Sequence, residues 1–235
     1  RGKESIGNIQ GGPMYVIMEG LGKSWKPLAV FFSVCGMVGA LPVFNVNQLT
    51  QAVNDILLVP NGVTVTNTTN IVIGFVLISI TGLVILGGIK RIGQVASYMV
   101  PIMVVLYLFA GLLVIFNHIT EIPTIFRLII HDAFTGEAVM GGSVGAVIIA
   151  GVRRALFSNE AGLGTSDMAH GAAKTSEPVR EGLVAMIEPF IDTIIVCTIT
   201  AMVILSSGVW EQEGLSGVTM TTTAFIKELG GFGKF

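Results

Sequence analysis

Hydrophobic positions gather into long runs set apart by short polar stretches. A membrane-spanning helix needs about 20 predominantly apolar residues, and the runs approach that length. They predict a transmembrane bundle over residues 28–207, with spans at 28–57, 71–89, 95–116, 141–165 and 182–207. Residues 1–27 are polar and glycine-rich. Within them Met14-Tyr15-Val16-Ile17-Met18 is amphipathic and suits a helix lying at the membrane surface. Residues 59–70 read as a loop from their turn-forming residues. Residues 117–140 are mixed, and the apolar patch from Ile125 to Ile130 is too short to cross a bilayer, so an external hairpin is expected there. Residues 208–235 read as an external loop, carrying a short helix over 219–229, that approaches the next span.

The distribution of positive charge orients the spans. Loops on one side hold Arg1, Lys3, Lys23, Lys26, Lys90, Arg91, Lys174 and Arg180. Loops on the other hold Arg127, Lys227 and Lys234. Lys and Arg favour the cytoplasmic side, which places 1–27 inside and predicts a multi-pass protein of the cell membrane.

Composition agrees with this pattern. Hydrophobic residues make up 52% of the 235 and charged residues 12%, against about 25% charged in a soluble domain. Mean hydropathy is +0.80. So little charge cannot cover a soluble core. The net charge of −2 offers no electrostatic footprint for nucleic acid. Thirty glycines suit close helix packing and broken helices in lipid. Cys35 and Cys197 lie in apolar runs and have no metal-ligand spacing. The sequence opens on a polar stretch at Arg1 and stops after Gly230-Gly231-Phe232-Gly233-Lys234-Phe235. Both ends read as internal to a longer protein.

Three features could carry chemistry. The first is 151–165, where Arg153-Arg154 and Ser158-Asn159-Glu160 interrupt an apolar run beside Gly162 and Gly164. One reading is a discontinuous helix. Its break would offer carbonyls to an ammonium group, and N–H groups with their dipole to a carboxylate. The other reading is a helix end, with Ser158 or Asn159 capping the next helix. The second feature is the amide face of Asn45 and Gln48, which could hold a polar ligand or bond to a neighbouring helix. The third is Glu188 and Asp192, one turn apart. They could bind a cation or relay protons, but pairing with Arg153 or Arg154 is the favoured expectation. Signals for a soluble enzyme are weak: Gly162-Leu163-Gly164 is a fragment of a glycine motif with neither a preceding strand nor a following Gly-Lys.

Phe157-Ser158-Asn159-Glu160-Ala161-Gly162-Leu163-Gly164 resembles the signature stretch of the alanine/glycine:cation symporters, also called sodium:alanine symporters. Other pieces match in order: Gly11-Gly12-Pro13-Met14-Tyr15, the run from Gly82 to Ile92, and Pro178-Val179-Arg180-Glu181-Gly182 leading to Ile191–Thr198. The resemblance implies an all-α integral membrane protein with a leucine-transporter-type fold of two inverted five-helix repeats. The chain would supply core helices three to seven, one of them discontinuous. The implied function is a secondary active transporter, not an enzyme, that imports alanine or glycine coupled to sodium. A channel with an amide-lined pore and an intramembrane enzyme are the alternatives. By the same likeness Gln48, Phe157, Ser158, Asn159, Glu160 and Gly162 contact the substrate. Most sodium ligands are expected in helices outside this sequence. Beyond the sodium (or proton) that drives transport no cofactor is expected, and the partners are the amino acid and membrane lipid. Arg153 and Ala155 stand where the family commonly has small residues and glycine, and Leu41-Pro42-Val43-Phe44 is bulkier than the family's approach to the glutamine.

Overall fold

The computed structural model describes residues 2–3, 9–134, 144–159, 164–171, 173, 175 and 177–230. They are almost wholly helical, apart from a two-residue antiparallel pair between Gly2–Lys3 and Ile9–Gln10. Four helical stretches are long and apolar enough to cross a membrane: Lys23–Asn61, Asn67–Ile85, Gly88–Asn117 and Pro178–Ser207. This is a multi-pass membrane protein. Its backbone explains why. With no water in a bilayer core, each N–H and C=O must be satisfied within its own helix.

The chain divides into two compact units. Unit 1 comprises Arg1–Pro42 and Asp132–Cys197. Helix α1, Pro13–Gly20, begins on a proline, whose missing N–H costs nothing in a first turn. It packs on α2, Lys26–Gly39, which also opens with a proline in its first turn. Helix α7, Val144–Asn159, packs on a π-helical segment, Phe190–Val196. That segment follows α9, Pro178–Ala185, and the short turn Ile187–Pro189. Pro189 has no N–H to give the preceding turn, and the helix re-registers immediately after it. Helix α8, Thr165–Gly171, precedes α9 and packs on it.

Unit 2 comprises Val43–His131 and Thr198–Phe235. Helix α3, Val43–Val53, runs into π-helical turns over Asn54–Leu58. Helix α4, Asn67–Ile85, starts on a reciprocal cap. The Thr69 N–H donates to the Thr66 hydroxyl (3.3 Å), and the Thr66 N–H donates to the Thr69 hydroxyl (2.8 Å). That exchange satisfies two otherwise orphaned donors. Beyond its polar first turn helix α4 is largely apolar around its circumference, and none of its residues is buried, as suits a helix with faces turned to lipid. Helix α5, Gly88–Asn117, begins at a left-handed glycine (φ 71°) and carries Pro101 inside it. Helix α6 spans Ile122–Phe134.

The core of unit 2 forms where α5 meets α10, Cys197–Ser207, and α11, Val218–Leu229. Val114, Val203, Val209, Ala224 and Phe225 are buried there. A side chain at Gly111 would collide with Ile199, so glycine is what lets α5 and α10 approach. The Tyr107 hydroxyl bonds the Thr200 hydroxyl, and its ring meets Phe225 edge-on, centroids 5.5 Å apart. A phenol in an apolar core is stabilised by such a partner at its polar end.

Candidate functional site

In unit 1 helix α7 is described to Asn159, and α8 begins at Thr165, directly after Gly164. Gly164 has φ 76°, left-handed backbone that a continuous right-handed helix does not contain. It is buried, and a Cβ there would lie 2.6 Å from Pro13 Cγ and 2.9 Å from Phe32 Cζ. The restart of the helix is thus pressed against α1 and α2, and only glycine fits. Glu160 and Gly162, expected at the break, lie outside the described residues. Phe157 and Asn159 belong to the last turn of α7.

Ser158 lies between them in that turn. Its hydroxyl donates to Asp192 Oδ2 (2.6 Å) and lies 3.2 Å from Cys197 Sγ. Asp192 sits in the π-helical segment, where a widened turn brings a side chain to a register an α-helix would not allow. Nearby, Ser166 donates to Glu188 Oε2 (2.7 Å). The His170 ring stands between two carboxylates, 2.7 Å from Glu181 through Nδ1 and 3.7 Å from Glu188 through Nε2.

These contacts correct the expectation that Glu188 and Asp192 pair with Arg153 or Arg154. Both arginines are exposed on α7, and neither forms an ion pair among the described residues. Hydroxyl groups serve the carboxylates instead. Ser158 lies one turn beyond Arg154, within reach of Asp192, and binding a short hydroxyl orders fewer bonds than binding a guanidinium stem.

Unit 2 holds the other expected contact, Gln48. Its Oε1 accepts from the Val218 backbone N–H (2.9 Å), the first residue of α11. One turn along α3, Gln51 Nε2 donates to the Thr219 hydroxyl (2.7 Å), which donates onward to Asp55 Oδ2 (2.7 Å). Gln48, Gln51 and Asp55 thus share one helical face, and it is turned toward α11. Asn54 Nδ2 donates to Asn70 Oδ1 (3.0 Å), while its own Oδ1 is buried without a partner among the described residues. Asn45, expected beside Gln48, is exposed.

Of this face the sequence singled out Gln48, paired with Asn45; Gln51, Asp55, Thr219 and Gly217 were not picked out. Their partners stand some 160–170 positions away, and no local pattern pairs them. Among the described residues, no cluster of three or more His, Cys, Asp or Glu could hold a metal ion.

A model of the sodium:alanine symporter family matches residues 1–235. An uncharacterized transporter of Haemophilus influenzae is 41% identical over 240 residues, covering 98% of this chain and 50% of that protein. The sodium/alanine symporter AgcS of Methanococcus maripaludis is 40% identical over 224 residues, covering 93% of this chain and 48% of its own length. The probable sodium/glutamine symporter GlnT of Bacillus subtilis is 36% identical over 227 residues, covering 97% and 46%. The chain spans about half the length of the curated relatives it matches.

Proposed function

The chain belongs to the sodium:alanine symporter family, and from that premise we propose that the protein imports a small neutral amino acid, alanine or glycine, coupled to sodium entry across the cell membrane. The fold proposed with it is the leucine-transporter type, with inverted repeats. Its spans cover about 28–57, 71–89, 95–116, 141–165 and 182–207, with an external hairpin at 117–140. The proposed substrate contacts are Gln48, Phe157, Ser158, Asn159, Glu160 and Gly162.

The observation that carries this reading is the left-handed backbone of Gly164, which lies between α7 and α8. Helix is laid down to Asn159, and Gly164 then turns left-handed before α8 begins. An interrupted membrane helix has, at the end of its first half, carbonyls and, at the start of its second, N–H groups that the helix ladder itself does not satisfy. Those are the complements of an ammonium and a carboxylate. Ser158, tied to Asp192, adds a hydroxyl at the same turn. At Gln48 the amide oxygen is taken by Val218, which leaves the Nε2 hydrogens for an acceptor on the ligand.

Relatives named for alanine and for glutamine make substrate side-chain size a property to measure in this protein. The test is uptake by the full-length protein in proteoliposomes. Sodium-gradient-driven alanine uptake should saturate. Asn159→Leu and Gln48→Leu should each raise KM or abolish uptake, by about tenfold or more for the loss of a well-placed polar contact. Unaltered uptake in both variants sinks the proposed site. Uptake that neither saturates nor follows the gradient sinks symport.

A further inference from the structure

Gln48 is held by the segment that begins α11, and that segment has unusual requirements. Gly217, just before the helix, has φ 58°, in the left-handed region. A Cβ on it would lie 2.6 Å from Gln48 Oε1, 3.3 Å from Cδ and 3.4 Å from Nε2. The space a side chain would need is occupied by the Gln48 amide. Glycine provides no side-chain cap, and the Val218 N–H is satisfied by Gln48 from the other helix.

That one bond fixes the amide's orientation. A backbone N–H only donates, so the atom facing Val218 is Oε1 and the opposite corner is Nε2. One residue on, the Thr219 hydroxyl accepts from Gln51 Nε2 and donates to Asp55 Oδ2. A hydroxyl that accepts on one side and donates on the other has its rotor locked. It clamps the start of α11 to α3 one to two turns below Gln48. If the clamp is removed, Val218 is no longer held opposite Oε1, and the amide is free to turn over.

We propose that Gly217, Thr219 and Asp55 are positioning residues that hold Gln48 with Nε2 available as a donor to the amino-acid ligand. This rests on the reading of Gln48 as a substrate contact. The connection ending at Gly217 and the ligand then compete for no atom of Gln48. One takes the acceptor, the other the donor, and displacement of the connection disorders the ligand contact without touching the ligand.

The experiment uses the full-length protein in proteoliposomes, reading KM and kcat for alanine at saturating sodium. Gln48→Glu keeps an acceptor for the Val218 N–H but has no donor. It should raise KM about tenfold, the loss of one hydrogen bond, with an unchanged melting temperature. Gly217→Ala and Thr219→Val should raise KM by a comparable factor with kcat little changed. Thr219→Ser, which keeps both bonds of the hydroxyl, should restore the parent KM. If Gly217→Ala does not fold, the Thr219→Val and Thr219→Ser pair decides by itself. Parent-like KM in Thr219→Val, in a protein where Gln48→Glu does raise KM, overturns the positioning role and leaves Gln48 as a ligand contact. Parent-like KM in Gln48→Glu overturns the donor role, and the proposal with it. A Thr219→Ser variant as impaired as Thr219→Val also overturns it, because the hydroxyl would not be what matters.

Discussion

Ser158 and Asp192 are two residues 34 positions apart joined by one short hydrogen bond. A carboxylate in a membrane helix is costly unless something donates to it. Here the donor is a hydroxyl on the last turn of α7, so the end of one helix is tied to the π-helical turn of another. Ser158→Ala should leave Asp192 without that donor and destabilise the protein by about 1–2 kcal/mol. Asp192→Asn should cost less, because an amide oxygen still accepts from Ser158. Thermal unfolding of the full-length protein in detergent checks the order of the two. Asp192→Asn melting lower than Ser158→Ala would show that the charge, not the hydrogen bond, is what the turn needs.

At the scale of elements, α11 is fastened at both ends. Its start is tied to α3 through Gln48 and Thr219. Near its end, Lys227 Nζ donates to the Ser207 carbonyl, and Glu228 meets His118 Nε2 at 2.7 Å. His118 follows the last residue of α5, and Glu121 faces its Nδ1 at 3.3 Å. The hydrogen bond to Glu228 raises the His118 pKa above its ordinary value, burial pushes the other way, and Glu121 adds to the rise. A raised histidine pKa stabilises the fold fully below the unfolded value of about 6.5 and loses that contribution as pH climbs through the folded value. The end of α11 should therefore be held more tightly at about pH 6 than at about pH 8. Hydrogen exchange over 218–229, corrected for intrinsic rates, should speed up across that interval. The effect should vanish in His118→Gln. An unchanged profile in that variant would assign the pH response elsewhere.

At the scale of the molecule, long apolar helices dictate a membrane environment, and loop charge predicts which way they run. With every native cysteine of the full-length protein, Cys35 and Cys197 among them, replaced by alanine, a single cysteine at Val63 should react with an impermeant maleimide added outside cells. A cysteine at Lys90 should react only after the membrane is opened. The reverse pattern would invert the proposed topology.

Hydropathy determined that helices cross a membrane, because each run must satisfy its own backbone and its length is set by the bilayer. The polar triplet and glycines at 158–164 marked a place where a lipid-facing helix is untenable. The partners of those polar groups were not legible. Local chemistry states that Asp192 needs a donor and Gln48 a partner, but many groups could oblige, and Arg153 and Arg154, the expected partners of Asp192, were the wrong choice. Only tertiary packing brings Ser158 to Asp192 and Val218 to Gln48, since contacts across 34 and 170 residues depend on how helices lie side by side. The same packing turned Gln48 so that its oxygen is spent on a helix end, while its amide hydrogens meet no acceptor among the described residues.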